Sequence, residues 1–416
     1  MAVTITQSPT LPNGTQSDLI YVLSSDQASS PQHRYVCEVR SEGGTVLSQI
    51  KQVRNNSNLG VFEVSRLLDD HMGYDEPFYI SGSDPFVTSS NNNIRSFKIV
   101  FGEEYGTSTT SGLTSSLDVS ASNAADTTFI PAVTERDAGY FNWPSSSYDA
   151  LTNMPNTGSA LSTETKNQSL NVGRNDYMTI SSLCGIAPKG HFDDLRIRVY
   201  NYLDGVAYTT TTTNPNSHAT TAGKLVHAGI GPKNLEDVNA LAAYFNQPET
   251  YPYYSVRLDY GGGQNSTEYF FNLNCSKYEG TRFAFTNKLG MFDYYRATLV
   301  DTERESFQRD TYAAPYIDYS TTTSTIGYDS TRRGETQYLN TIQNNYTAET
   351  DWLTTEQANW LMELFESPNV FVQNGSQFEG VIITNAEEEF KTNPRGQKTF
   401  KYTIQYRKSN SKHSRY

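Results

Sequence analysis

Few side chains in this sequence have the types and spacing that metal binding requires. The six histidines include no H-x-x-x-H pair and no H-E-x-x-H motif, which are the helical zinc patterns. His191 comes closest to a metal site, because Asp193 and Asp194 follow it. Adjacent side chains on a strand point to opposite faces, so we interpret this segment as a polar turn that leads into a strand. The sequence therefore predicts no metal site.

Catalytic and cofactor-binding patterns are equally scarce. There is no G-x-S-x-G nucleophile motif. The segment Gly229–Lys233 precedes a predicted helix, where backbone N–H groups can bind an anion, but it lacks the glycine patterns of phosphate-binding loops. The acidic run Glu387–Glu389 is interpreted as a solvated turn. The sequence does not show which acids lie close together in the folded chain, so a carboxylate pair for glycoside hydrolysis stays open. We predict no cofactor and no enzymatic activity.

Tyrosine is the residue type with the clearest potential for binding, since the chain has 29 Tyr beside 20 Phe and 3 Trp. An apolar ring with a hydroxyl suits protein interfaces, and the same ring can stack on a sugar. Basic residues also crowd the C-terminal segment, either as a frayed solubilising tail or as a segment that docks onto an acidic neighbour. We predict an interface, and its candidate residues are Tyr253, Tyr254, Tyr294, Tyr295, Tyr316, Arg407, Lys408 and Lys412. Sugar stacking by the tyrosine-rich segments is the alternative.

Composition narrows the class of protein. The 416 residues carry a formal net charge of −13, which argues against a general nucleic-acid binder. The aromatic content argues against disorder. The N-terminus lacks the basic and apolar regions of a signal peptide, no apolar stretch approaches the length of a membrane span, and the three cysteines form no C-x-x-C motif. We expect a soluble protein that is made in a reducing compartment.

Strand patterns dominate the chain, and two segments are typical of helices. Short β-branched or aromatic runs bounded by turn residues predict strands at 19–23, 35–39, 96–101, 195–202, 255–260, 268–273, 282–286, 370–372, 380–384 and 399–406. Residues 234–246 and 354–367 predict amphipathic helices, with Thr354 and Gln357 at capping-box spacing. The predicted fold class is mainly β, with sandwich- or barrel-like antiparallel sheets, about two short α-helices and long polar insertions.

Polar, low-complexity stretches suggest the domain organisation. Residues 102–126, 145–174 and 209–223 are rich in Ser, Thr and Asn and poor in apolar residues, which is typical of loops. We therefore predict an N-terminal β region at 1–101, a Ser/Thr/Asn-rich insertion at 102–190 and a C-terminal β-rich region at 191–416 that contains both helices. A long insertion of this kind is usually functional or ordered by neighbouring subunits.

The segment RFAFTNKLGMFDYY, residues 282–295, resembles the F-x-N-x-x-G-x-x-D-x-Y/F strand–turn–strand of structural proteins of tailed phages, particularly those that infect Bacteroidota. Residues 352–371 resemble the helix and strand that follow in those proteins, and residues 36–39 and 60–68 are similar in layout. The resemblance covers about half of the chain and includes no part of 102–190. It implies a component of the neck, tail or baseplate, and it brings no catalytic residues.

Together these observations predict a virion structural protein that is assembled in the host cytoplasm and not secreted by a signal peptide. Its expected partners are copies of itself in a ring or tube and other virion structural proteins, without a membrane and without sequence-specific nucleic acid. The insertion 102–190 and the C-terminal tail are the expected contact arms. The alternative is a carbohydrate-binding, receptor-binding or glycan-cleaving protein of the same particle.

Overall fold

A computed structural model describes residues 3–9, 13–88, 93–110, 113–116, 127–130, 150–184, 192–215, 224–260, 263–273, 280–314, 317–320, 322–328, 334–385, 399–409 and 412–415. The chain divides into two compact units. The first unit comprises Met1–Cys275, Phe285–Tyr294 and Asn359–Ser367. The second comprises Ser276–Ala284, Tyr295–Ala358 and Pro368–Tyr416. The mainly β, antiparallel fold predicted from the sequence is confirmed.

The first unit contains most of the strands. They are β1 (Thr4–Gln7), β2 (Asn13–Gly14), β3 (Ile20–Ser24), β4 (Arg34–Ser41), β5 (Val46–Val53), β6 (Gly60–Glu63), β7 (Phe86–Thr88), β8 (Arg95–Gly106), β9 (Leu113–Ser116), β10 (Thr127–Ile130), β11 (Thr157–Gly158), β12 (Leu170–Val172), β13 (Thr179–Cys184), β14 (Phe192–Tyr200), β15 (Val206–Thr213), β16 (Lys224–Gly229), β17 (Tyr253–Tyr260) and β18 (Gln264–Leu273). Its helices are α1 (Ser65–Asp69), α2 (Thr163–Gln168) and α3 (Leu241–Phe245), with a 3-10 turn at Pro77–Tyr79.

Four sheets form from these strands. Their orders are β1-β3-β6, β2-β10-β8-β4-β5 with β9 beside β8, β11-β18-β17-β14-β15 with β12 beside β18, and β13-β16-β7. The first two sheets share one apolar core, as in a sandwich, because inward side chains of β3 and β6 pack with those of β4 and β8. That core includes Tyr21, Leu23, Phe62, Tyr35, Cys37, Val39, Phe97, Ile99 and Phe101. Period-2 alternation therefore positions the core as the sequence predicts.

The remaining elements lie wholly or partly in the second unit. They are β19 (Thr281–Thr286), β20 (Phe292–Ala297), β21 (Asp301–Ala313), β22 (Ile317–Ser320), β23 (Thr325–Tyr328), β24 (Glu335–Glu349), α4 (Thr355–Glu366), β25 (Val370–Asn374), β26 (Gln377–Ile383), β27 (Thr403–Lys408) and β28 (Lys412–Arg415). One sheet has the order β20-β19-β25-β26-β27-β24-β21 with β28 beside β24, and β22 pairs with β23. Both β19 and β20, and also α4, contain residues of both units.

The helix prediction for 354–367 is confirmed, and the one for 234–246 is largely wrong. Thr354 and Gln357 exchange reciprocal backbone–side-chain hydrogen bonds of 3.0 and 3.3 Å at the start of α4. In the other segment only Leu241–Phe245 is helical. Asn234 does not cap a helix there, because its buried amide binds the backbone of Phe78, Ile80 and Met178.

The structure also corrects the predicted domain boundaries. The proposed break after residue 101 falls inside β8, where Glu103 and Glu104 are buried. Part of the predicted insertion, residues 150–184, supplies strands and buried side chains such as Leu151 and Leu170 to the first unit. The predicted region 191–416 is divided between the two units. Residues 111–112, 117–126, 131–149 and 185–190 of the insertion lie outside the described residues.

Candidate functional site

A long hairpin in the second unit has an outer strand that is exposed on both faces. Strand β21 pairs with β24 from Asp301↔Ala348 to Ala313↔Glu335, which corresponds to about 40 Å of strand. Every residue of β21 is exposed except Asp310, which is half-buried. Successive side chains of a strand point to opposite faces, so neither face of β21 packs against a core. We call residues 301–349 the hairpin arm.

Polar cross-strand contacts hold the hairpin arm together in place of a hydrophobic face. Glu303 accepts hydrogen bonds from the amide of Asn344 at 2.5 Å and from the hydroxyl of Tyr346 at 2.8 Å. Phe307 lies opposite Ile342. Tyr338 is a one-residue bulge in β24, since Asp310 pairs with Leu339 and Thr311 with Gln337. The bulge leaves β21 itself uninterrupted.

Between β21 and β24 a second hairpin presents an apolar face. Tyr319 of β22 lies directly opposite Ile326 of β23, and Ile317 is two residues from Tyr319 on the same face. The three side chains are 58%, 75% and 55% exposed, respectively. An exposed contiguous apolar face on a soluble protein usually marks an interaction site.

The base of the hairpin arm is anchored to β27. The rings of Tyr346 and Tyr406 stack with centroids 5.2 Å apart, and the ammonium of Lys408 lies 5.8 Å above the Tyr346 ring. The Nζ of Lys408 is also 2.7 Å from Oε2 of Glu379. This hydrogen bond raises the pKa of Lys408 and lowers the pKa of Glu379. The arm therefore has a fixed base.

Three of the predicted interface tyrosines are buried, which corrects the sequence prediction. Tyr254, Tyr294 and Tyr295 are 0%, 0% and 4% exposed. The hydroxyl of Tyr254 donates to the Ile230 carbonyl at 3.0 Å, and the other two hydroxyls bind Thr179 at 2.7 Å and the backbone N–H of Asp351 at 3.2 Å. Their rings fill the core and their hydroxyls are satisfied within the chain, so they do not form a surface.

The other predicted interface residues differ in their surroundings. Tyr253 is half-buried, and the ammonium of Lys166 lies 5.6 Å from its ring centroid. Lys408 is half-buried and forms the ion pair described above, and Arg407 is half-buried on β27. Lys412 begins β28, which pairs with Ile342 of β24, so this part of the basic tail extends a sheet of its own chain. Tyr316 lies outside the described residues.

Two buried acids occur together in the first unit. Asp293 accepts hydrogen bonds from the Thr152 hydroxyl at 2.6 Å and the Trp360 indole at 2.8 Å. Glu363 accepts from the Asn153 amide and from the Lys288 backbone N–H, both at 3.0 Å. Burial, reinforced by the charge of Asp293, raises the pKa of Glu363 to about 7. The groups that donate these hydrogen bonds to both carboxylates belong to the same unit, which is typical of a structural network.

Half-buried tyrosines also cluster on the first unit. The Tyr208 and Tyr244 rings are stacked at 4.7 Å, and Tyr251 meets Tyr244 edge-on at 4.9 Å. Tyr251 belongs to the tyrosine-rich sequence YPYY, residues 251–254, whereas Tyr208 and Tyr244 stand outside such segments, and no sequence pattern singles them out. Tyr253 belongs to the same sheet but lies on its other face, because Tyr208 pairs with Val199 and Tyr253 pairs with the next residue, Tyr200.

No sequence pattern predicts β21 and β24 of the hairpin arm as a strand pair. Its strands carry polar residues on both faces, so they lack the apolar alternation on which strand prediction depends. A weaker signal was present in the β-forming residues of β24, among them Thr336, Tyr338, Thr341, Ile342, Tyr346 and Thr347.

Among the described residues, no group of three or more His, Cys, Asp or Glu side chains is arranged to hold a metal ion. Within the same residues, no helix has the length and apolar character needed to cross a membrane.

Comparison with known proteins gives no family. No protein-family model and no curated protein matches the chain. Among solved structures, the chain is similar to the native conformation of E. coli alpha-2-macroglobulin, with 8% sequence identity and a TM-score of 0.20. The similarity covers 83% of this chain and 21% of that one, so the chain spans about a fifth of its length.

Proposed function

We propose that this chain is a structural protein of a tailed-phage particle, in the neck, tail or baseplate, and that it assembles through the hairpin arm. The observation that carries the proposal is the arm itself, whose strand β21 is exposed on both faces. Ordering a long exposed hairpin costs conformational entropy and buries little surface within its own chain. We therefore infer that contacts with other chains stabilise it. The phage-particle context comes from the resemblance of residues 282–295 and 352–371 to phage structural proteins.

The apolar face of β22 and β23 is the surface on which a second chain binds in this proposal. Ile317, Tyr319 and Ile326 are each more than half exposed, and burial against a second chain removes that apolar surface from water. Copies of the same chain and other virion structural proteins are the proposed partners, and assembly takes place in the host cytoplasm.

A triple substitution tests the proposal. Ile317→Ser, Tyr319→Ser and Ile326→Ser together remove the apolar face and leave the backbone in place. The matched control is Tyr202→Ser, Leu203→Ser and Val206→Ser, which removes three side chains that are 67%, 72% and 54% exposed at the β14–β15 turn. Light scattering after size exclusion, with electron microscopy, is expected to show ring-sized assemblies for the wild type and the control but not for the triple variant. Assembly of the triple variant at the wild-type size would overturn the role of this apolar face in assembly.

The particle location has its own test. Antibody against the chain is expected to label the neck, tail or baseplate of purified particles in electron micrographs, and particles free of the chain would refute the assignment.

The tyrosine cluster of the first unit favours a second candidate function, carbohydrate binding at a receptor-recognition surface. Tyr208, Tyr244 and Tyr251 are half-buried, so each ring keeps part of its surface open. Glycan-array binding that is lost on Tyr251→Ala and retained on Tyr319→Ala would support this function. An array without signal for the wild type would refute it.

A further inference from the structure

Strand β21 ends its sheet. It pairs with β24 on one side, and in the described part of the chain no strand pairs with its other side. Sheet edges of soluble proteins are usually protected by charged side chains, especially lysine, and by proline, bulges or short length. The sequence of β21, DTERESFQRDTYA, has no lysine, no proline and no extra residue over its thirteen positions, and its charges are of both signs, so an antiparallel partner can pair with them. The edge is therefore suited to accept another strand.

The charges on β21 remain available for a partner. Among the described residues, Arg304, Glu305 and Asp310 form no ion pair, and their cross-strand neighbours are Asn345, Asn344 and Leu339, which are uncharged. The guanidinium of Arg309 lies 5.7 Å from the ring centroid of Phe307, and it faces Asn340 across the pair. Four charges of both signs are thus arranged symmetrically around Phe307.

We propose that β21 pairs antiparallel with β21 of a second copy of this chain, with the two-fold axis at Phe307. This inference rests on the proposed role of the hairpin arm in assembly and names its partner. Phe307 then faces Phe307 of the second copy. Arg304 faces Asp310 of the second copy, and Glu305 faces Arg309, so each kind of charge pair occurs twice.

Neighbouring registers are less favourable. In an antiparallel ladder, each residue lies directly opposite one residue of the other strand. When the two strands are identical, the two-fold axis lies between two copies of the same residue. The alternative registers therefore move this axis from one residue to the next. With the axis at Ser306, only Glu303 and Arg309 form opposite-charge pairs, and with the axis at Gln308 no opposite charges meet. The charge pattern thus selects the register that is centred on Phe307.

Charge reversals test the pairing directly. Arg304→Glu places like charges opposite each other in a pair of identical copies, and so does Asp310→Arg. When the two variants are mixed, position 304 of each chain faces position 310 of the other chain. Both of these contacts then join opposite charges. Light scattering on the full-length proteins is therefore expected to show loss of the self-pair for each single variant and its recovery in the equimolar mixture. Glu249→Arg, a reversal at an exposed residue of the first unit, is the control and should pair as the wild type does.

A cysteine test probes the register without changing charge. Phe307→Cys places two thiols within disulfide range across the two-fold axis, whereas two Thr311→Cys thiols would lie about 27 Å apart. Mild oxidation is expected to cross-link the first variant into covalent dimers and to leave the second at the background level of the wild type. Equal cross-linking of the two variants would overturn the register.

The outcomes separate this inference from the proposed function. If the single reversals pair as the wild type does, the β21 contact is refuted. Loss of larger assemblies by the Ile317, Tyr319 and Ile326 triple variant would then still support assembly through the hairpin arm. If the triple variant assembles normally while the reversals disrupt pairing, the β21 contact stands and the apolar face is not the assembly surface.

Discussion

The indole N–H of Trp360 donates a hydrogen bond of 2.8 Å to Oδ2 of Asp293, and both side chains are buried. The other oxygen of Asp293 accepts from the Thr152 hydroxyl at 2.6 Å. This carboxylate therefore joins three parts of the first unit that are far apart in sequence. Burial raises its pKa, and hydrogen bonds from Thr152 and Trp360 oppose that change.

Trp360→Phe is expected to destabilise the first unit. The substitution keeps an aromatic ring in the core but removes a donor from a buried carboxylate, for which a loss of about 1–3 kcal/mol in the free energy of unfolding is typical. Urea unfolding followed by circular dichroism measures the change. Trp352→Phe is the control because Trp352 is 64% exposed, and its effect should stay within about 0.5 kcal/mol. Equal stability of the two variants would contradict the structural role of the hydrogen bond.

Gly231→Ala is expected to disrupt the contact between Gly231 and the Asp176–Met178 backbone. A Cβ at this position would lie 2.5 Å from the Asp176 carbonyl oxygen and 2.6 Å from the Met178 nitrogen, and neither backbone atom can rotate away. Overpacking of this kind usually destabilises a protein by about 1–3 kcal/mol. In Gly43→Ala the nearest atom would be 3.9 Å away, so this control should melt like the wild type. The thermal midpoints of the two variants test the difference.

Glu363→Gln is expected to change how stability depends on pH. The pKa of Glu363 is raised from 4.5 to about 7 in the folded chain, mainly by burial, so the native state keeps a proton that the unfolded state loses. Glu363 therefore lowers the stability of the wild type progressively as pH rises from about 4.5 to 7, and the effect is complete above pH 7.

The stability difference between wild type and Glu363→Gln measures this contribution. We expect the free energy of unfolding of the variant, relative to the wild type, to increase by on the order of 1–3 kcal/mol between pH 4.5 and pH 8. Chemical denaturation at several pH values gives the difference. A constant difference across this range would show that Glu363 titrates normally.

Sequence patterns predicted those parts of the fold in which one face of an element is apolar. The alternation within residues 195–202 places Leu195, Ile197 and Val199 on one face of the predicted strand, and all three are fully buried on β14. The closing segment likewise buries Phe400, Tyr402, Ile404 and Tyr406, although regular strand begins only at Thr403. In both segments the hydrophobic effect alone determines the side that faces the core.

The sequence was insufficient where tertiary contacts decide the outcome. Asn234 has a strong preference for helix caps, but three backbone groups of distant segments use its amide instead. Tyr254 and Tyr294 combine an apolar ring with a hydroxyl, as interface residues often do. Partners within the chain nevertheless satisfy both hydroxyls, and this makes burial of the rings possible. Strands β21 and β24 of the hairpin arm have no apolar face, so their pairing depends on the fold of the second unit and on the proposed contacts with other chains.

His227 provides a pH dependence of the opposite sign to that of Glu363. Burial lowers the pKa of His227 from 6.5 to about 4, and its Nδ1 lies 2.8 Å from the Ser181 hydroxyl. The unfolded state takes up a proton below pH 6.5 while the native state stays neutral, so His227 lowers the stability as pH falls from about 6.5 to 4. Over the same range the protonation of Glu363 raises the stability.

His227→Gln is therefore expected to become more stable relative to the wild type as pH falls from 7 to 4.5, even if it is less stable at pH 7. Denaturation curves at pH 7, 6, 5 and 4.5 test this, and a constant stability difference would show that the imidazole is protonated equally in both states.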